Sequence, residues 1–125
     1  MALTRSQIQN KIYTLNRQKS VYVSDKNKYN ESLRYANQLV RYLSNSDKFL
    51  TSSNDYLKRY FTINNQTADS GEINKTKNEI NNILKKLNYT IIPSINGNIN
   101  TLTGKINNID SEIRVLKRQL ETAQM

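Results

Sequence analysis

The chain contains neither histidine nor cysteine. Ser-His-Asp triads, thiol nucleophiles and the usual zinc ligand sets therefore have no members here. Ten carboxylates remain, and they are scattered. Asp110 and Glu112 stand two residues apart, a spacing that turns them to different sides of a helix. There is no Gly-rich phosphate loop. A Ser-Lys pair is the one catalytic arrangement the sequence leaves open. These residue types point away from an enzyme and call for no cofactor and no metal.

The side chains with a clear pattern are aromatic. Tyr35, Tyr42, Phe49 and Tyr56 recur seven residues apart, and Leu39 bridges this row to the main apolar stripe of the same segment. From Tyr35 to Phe61 the apolar face is nearly twice as wide as one helix partner requires. A contiguous surface rich in Tyr and Phe has the composition of a protein–protein interface core. Tyr35, Leu39, Tyr42, Phe49, Tyr56 and Phe61 are the candidate partner interface. The alternative left open is that the chain folds back and covers this surface itself.

A basic row, Arg34, Arg41 and Lys48, runs alongside, also seven apart. Cations beside tyrosines can track phosphates and stack on bases. The same spacing describes any solvated helix flank, and no helix-turn-helix, zinc-finger or RNP-type signature accompanies it. Nucleic acid is therefore not the favoured partner.

These rows must be carried on long helices. Between Ile95 and Leu120 apolar residues recur with 4-3 spacing: Ile95, Ile99, Leu102, Ile106, Ile109, Ile113, Leu116 and Leu120. That is the a/d seam of a helix lying along another helix. The first half carries its own sevens. The d row includes Ile8, Leu15, Tyr22, Tyr29, Ala36, Leu43, Leu50 and Leu57. The a row includes Ile12, Leu33, Val40 and Phe61, with polar residues at Lys19, Lys26, Asp47 and Asn54. The hairpin seam is read as Ile8, Leu15, Leu33 and Leu43 against Ile95, Ile99, Leu102, Ile106, Ile109, Ile113 and Leu116. In that pairing Leu15 lies opposite Leu116, and Lys19 approaches Asp110 and Glu112.

The fold class expected is all-α: a single domain over 1–125, an elongated antiparallel helical hairpin with coiled-coil-like heptad packing. The first helix spans about 4–61; near 44–47 two forms are open, a joined helix or a bend or break where Ser46 or Asp47 caps a new helix. A turn follows at about 62–70. Asp69 and Glu72 form a capping-box pair around Gly71, and the second helix runs over about 71–122. Ile73, Ile80, Leu84, Leu87 and Ile91 open its seam. From Leu87 to Ile99 the spacing becomes 4-4-4 through Ile91 and Ile95, one residue more than the heptad allows. Pro93 sits there, so a kink or short break near Pro93 is expected. Gly97 and Gly104 fall on the outer face.

The remaining composition agrees with this plan. Gly 3 and Pro 1 are low for a loop-rich or β-rich protein. Mean hydropathy is −0.77, so a thick globular core is not expected. The net charge of +9 is concentrated in residues 1–64, which hold 11 Lys/Arg against 4 Asp/Glu. No window approaches a membrane span, and the first residues lack the apolar run of a signal peptide. The expected location is cytoplasmic, with co-secretion without a cleavable signal peptide as the variant.

Three elements together carry a family resemblance. They are the two-long-helix layout, the Asp69-Ser-Gly-Glu-Ile73 entry to the second helix, and Ile91-Ile-Pro-Ser-Ile95 followed by the Ile/Leu seam. With them the chain resembles the small α-helical proteins encoded beside LXG-domain toxins in Gram-positive type VII secretion loci, in particular the YwqH-like group. The resemblance implies a targeting factor or chaperone. Its partners would be the helical LXG region of a toxin and a second small helical protein. The chain has no Trp, hence no Trp-x-Gly turn, and no Tyr is followed four residues later by Asp or Glu. The resemblance then leaves the export signal to another subunit. The alternative function is a self-associating coiled-coil structural protein, a homo-oligomer with weak nucleic-acid affinity.

Overall fold

The computed structural model describes residues 3–63 and 71–123. The chain is an all-α helical hairpin. Helix α1 spans Arg5–Ile63 and helix α2 spans Gly71–Lys86. A π turn at Leu87–Ile91 leads into helix α3, Ile92–Thr122. The described residues include no strand.

Helix α1 starts with a reciprocal cap. The Thr4 amide donates to Gln7 Oε1 at 2.9 Å, and the Gln7 amide donates to Thr4 Oγ1 at 3.2 Å. This T-x-x-Q box satisfies two of the amides that a helix start leaves without partners. No Gly or Pro follows until the end of α1, so nothing in the chain forces an interruption.

Of the two forms open at 44–47 the joined one is found; α1 is one helix through that stretch. The hydroxyls that suggested it are absorbed inside the helix. Ser46 Oγ donates to the Tyr42 carbonyl at 2.9 Å, and Thr51 Oγ1 donates to the Asp47 carbonyl at 3.0 Å. Such i−4 back-bonding satisfies Ser and Thr without ending the helix. The half-burial of Leu43 and Leu50 on either side keeps the stripe continuous.

Of the expected turn, Thr62 and Ile63 are helical. The remainder, with Asp69 of the expected capping box, lies outside the described residues. Gly71 and Glu72 open α2 as exposed residues. A carboxylate in the first turn complements the positive end of the helix dipole.

By packing, the residues group into two compact units. Unit 1 combines Met1–Ser32 with Ile95–Met125, and unit 2 is Leu33–Ser94. In unit 1 the core is Ile8, Leu102, Ile109 and Ile113, with Ile8 only 1% exposed. Leu15, Ile95, Ile99, Ile106 and Leu116 are half-buried around it. In unit 2 Ala36, Ile80 and Leu87 are buried, and Leu33 and Leu43 are half-buried. Full burial of few residues is the signature of a narrow seam, since each helix hides one stripe only.

The extra residue before Pro93 has a definite structural answer. The Ile92 amide donates to the Leu87 carbonyl, five residues back. One π turn therefore accommodates the insertion, in place of a gap. The seam passes from Leu87 directly to the half-buried Ile92 and then to Ile95, while Ile91 is exposed. The sequence reading placed Ile91 in the stripe; the five-residue turn rotates it out and brings Ile92 in.

Candidate docking interface

Unit 2 carries the aromatic row on the outside of α1. Tyr42, Phe49 and Tyr56 are 69–70% exposed, Tyr35 is 55% and Leu39 43%. The helix positions them because the a and d rows face α2. The row seven apart, two heptad places further round, is left to solvent. Large aromatics on α1 are thus not consumed by the seam of their own unit.

Phe61 occupies an a position and is half-buried, unlike the exposed members of the row. Its ring meets Tyr60 edge-on, with centroids 5.5 Å apart and an interplanar angle of 82°. Tyr60, which the sequence reading passed over, is 53% exposed. The signal was available: Tyr60 follows Tyr56 by four residues, as Leu39 follows Tyr35.

A basic row lies further round α1, beyond Gln38, Asn45 and Ser52. Arg34, Arg41 and Lys48 are exposed, and the Arg34 guanidinium carbon lies 4.6 Å from the Tyr35 ring centroid. That is a cation–π geometry, and it brings a flank cation round onto the aromatic row.

Behind the face, the seam of unit 2 is polar at one level. Lys77 Nζ donates to Thr51 Oγ1 at 2.6 Å. Asn54 is 7% exposed, and its Oδ1 has no hydrogen-bond partner; the half-buried Asp47 has an Oδ1 in the same condition. These are two of the four polar a positions of α1. Lys77 stands at the seam place between Ile73 and Ile80 on α2 and is half-buried.

Unit 1 has a different surface feature. Leu15 and Leu116, with Thr14 and Val115, line an open, mostly apolar groove of about 620 Å³. Lys11 and Glu112 stand on its margin. The expected approach of Leu15 to Leu116 is present in this lining. Lys19 Nζ pairs with Asp110 Oδ1 at 2.7 Å, and Lys105 Nζ lies 5.3 Å from the Tyr22 ring centroid.

Among the described residues, no three His, Cys, Asp or Glu side chains gather where they could hold a metal ion. No helix among them is long and apolar enough to cross a membrane. Tyr35, Tyr42, Phe49 and Tyr56 offer aromatic contact spread along one helix. No family model, no curated protein and no solved structure matches the chain.

Proposed function

We propose that this protein is a non-enzymatic binding factor whose aromatic α1 face packs against the helical LXG region of a type VII secretion toxin. In this role it acts as a chaperone or targeting factor that helps deliver the toxin for export, and another subunit carries the export signal. The observation behind the docking part is the exposure of Tyr35, Leu39, Tyr42, Phe49 and Tyr56 on one face of α1. Covering one such side chain is worth about 1.5–3 kcal/mol, so a helix laid along the row gains enough to offset its own ordering. The toxin identity comes from the resemblance carried by Asp69-Ser-Gly-Glu-Ile73 and Ile91-Ile-Pro-Ser-Ile95.

The test is co-expression with the N-terminal region of an LXG toxin, comparing the parent chain with Tyr42→Asp and Phe49→Asp. Both positions are exposed, so both variants should keep the parent melting temperature. Capture of the toxin region should fall at least about tenfold, as expected when a charge enters an apolar contact. Undiminished capture by both variants sinks the interface.

A further inference from the structure

We infer that the first part of α2 is a clasp: residues 71–79 detach from α1 at a polar level of the unit 2 seam, while Ile80 and Leu87 stay seated. Burial along α2 is uneven. Ile80 is 9% exposed and Leu87, in the π turn that follows, 5%. Ahead of Ile80, only Ile73 and Lys77 are half-buried, and the rest of 71–79 is exposed.

The α1 side of the same seam shows the same lapse. Over 37–62 the one fully buried side chain is Asn54, and it is polar. Leu50, Leu57 and Phe61 hide only part of their surface. A helix seam is held by the apolar area it removes from water. At this level its deepest place holds an amide oxygen with no hydrogen-bond partner. Asp47, seven residues earlier, has a carboxylate oxygen in the same state. Both acceptors weigh against the closed form, and water relieves both once the level opens. Unit 1 differs. Its buried side chains, Ile8, Leu102, Ile109 and Ile113, are all aliphatic, and its Lys19 meets the Asp110 carboxylate.

One polar tie crosses the level. Lys77 Nζ donates to Thr51 Oγ1 at 2.6 Å, and Thr51 Oγ1 donates to the Asp47 carbonyl at 3.0 Å. The ammonium therefore serves a hydroxyl and leaves both Oδ1 atoms without a donor. A bond of this kind is exchanged for one to water at small net loss, so it guides closure more than it resists opening. Detached from α1, residues 71–79 are too short to persist as a helix in water.

Opening changes what α1 presents. It uncovers Leu50 and Leu57, whose row borders the row of Phe49 and Tyr56 on the helix surface. Two apolar rows then become one wider face. Closed, the clasp withholds that face, and no partner is needed for it to open.

Hydrogen exchange read by mass spectrometry on the full chain tests this, comparing the amides of 76–79 with those of 102–113 at several low urea concentrations. Residues 76–79 should exchange at least about tenfold faster and with little dependence on urea, as a local opening does. The Asp47→Leu, Asn54→Leu double variant replaces both unpartnered acceptors with apolar side chains. It should slow exchange at 76–79 by at least about tenfold. Ile109→Val, a mild truncation in unit 1, should speed 102–113 and leave 76–79 unchanged.

Equal rates and equal urea slopes at the two stretches mean that the hairpin opens only as a whole, and they overturn the clasp. Exchange at 76–79 that is unmoved in the double variant overturns it too, since fraying of the helix end then accounts for the fast amides.

Discussion

Lys19 Nζ of α1 and Asp110 Oδ1 of α3 meet at 2.7 Å in unit 1, at an a place of the seam. Lys19 is one of four polar residues in the a row, and its ammonium is compensated by a carboxylate from the opposite helix. Both side chains keep more than a third of their surface in water, at 36% and 41% exposure. Solvent therefore screens the pair, and it serves register more than stability. A double-mutant cycle on Lys19→Ala and Asp110→Ala should give a coupling of roughly 0.2–1 kcal/mol that shrinks with salt. A coupling of several kcal/mol in urea melts would contradict this.

Asn54 poses the opposite case. It is nearly covered, and its Oδ1 has no hydrogen-bond partner. A polar atom in that condition costs about 1–3 kcal/mol of desolvation. Asn54→Leu should raise unfolding free energy by about that amount, with the denaturant slope unchanged. A loss of stability would mean that the amide holds a contact in solution that outweighs its burial.

The π turn and Pro93 make a coupled pair of predictions. Removing Thr90, an exposed residue, would restore heptad spacing from Leu87 through Ile92 to Ile95. The shortened helix would then be regular α across Pro93, whose ring clashes with the preceding turn at a cost of about 3 kcal/mol. Deletion of Thr90 alone should therefore destabilise the protein by an amount of that order. Deletion combined with Pro93→Ala should recover the loss. Thermal melts that show no recovery would separate the π turn from the proline.

Gly97 and Gly104 lie on the outside of α3, and a Cβ built on either meets nothing within 4 Å. Each glycine in an exposed helix interior is worth about 1 kcal/mol against alanine. Gly97→Ala and Gly104→Ala should each stabilise by roughly that much, additively, as read from chemical denaturation. If either substitution also weakens capture of a partner, α3 contributes a close backbone contact to binding.

The hairpin was legible in the sequence because a seam is a one-dimensional pattern. Ile8 and Leu15, Ile109 and Ile113 follow from 4-3 spacing alone, and the face with α-helical period must be the buried one. The exposed row at Tyr35, Tyr42, Phe49 and Tyr56 followed for the same reason: a helix side not facing its mate is left outside. The insertion before Pro93 was also visible as a count of residues. What the count does not contain is how the backbone absorbs it. Only the structure shows the π turn, with the Ile92 amide donating to the Leu87 carbonyl and Ile92 half-buried where Ile91 is exposed.

The same division explains Ser44–Asp47 and Phe61. Ser and Asn cluster both at helix ends and inside helices whose hydroxyls bond back to the chain, so local chemistry allows either outcome. The burial of Leu43 and Leu50 on one continuous stripe decided for the unbroken helix. Phe61 sits where two apolar rows meet and is half-buried, while Tyr60 beside it is exposed. Periodicity determined which rows are apolar. Contact between helices determined which residue of each row is spent on the fold.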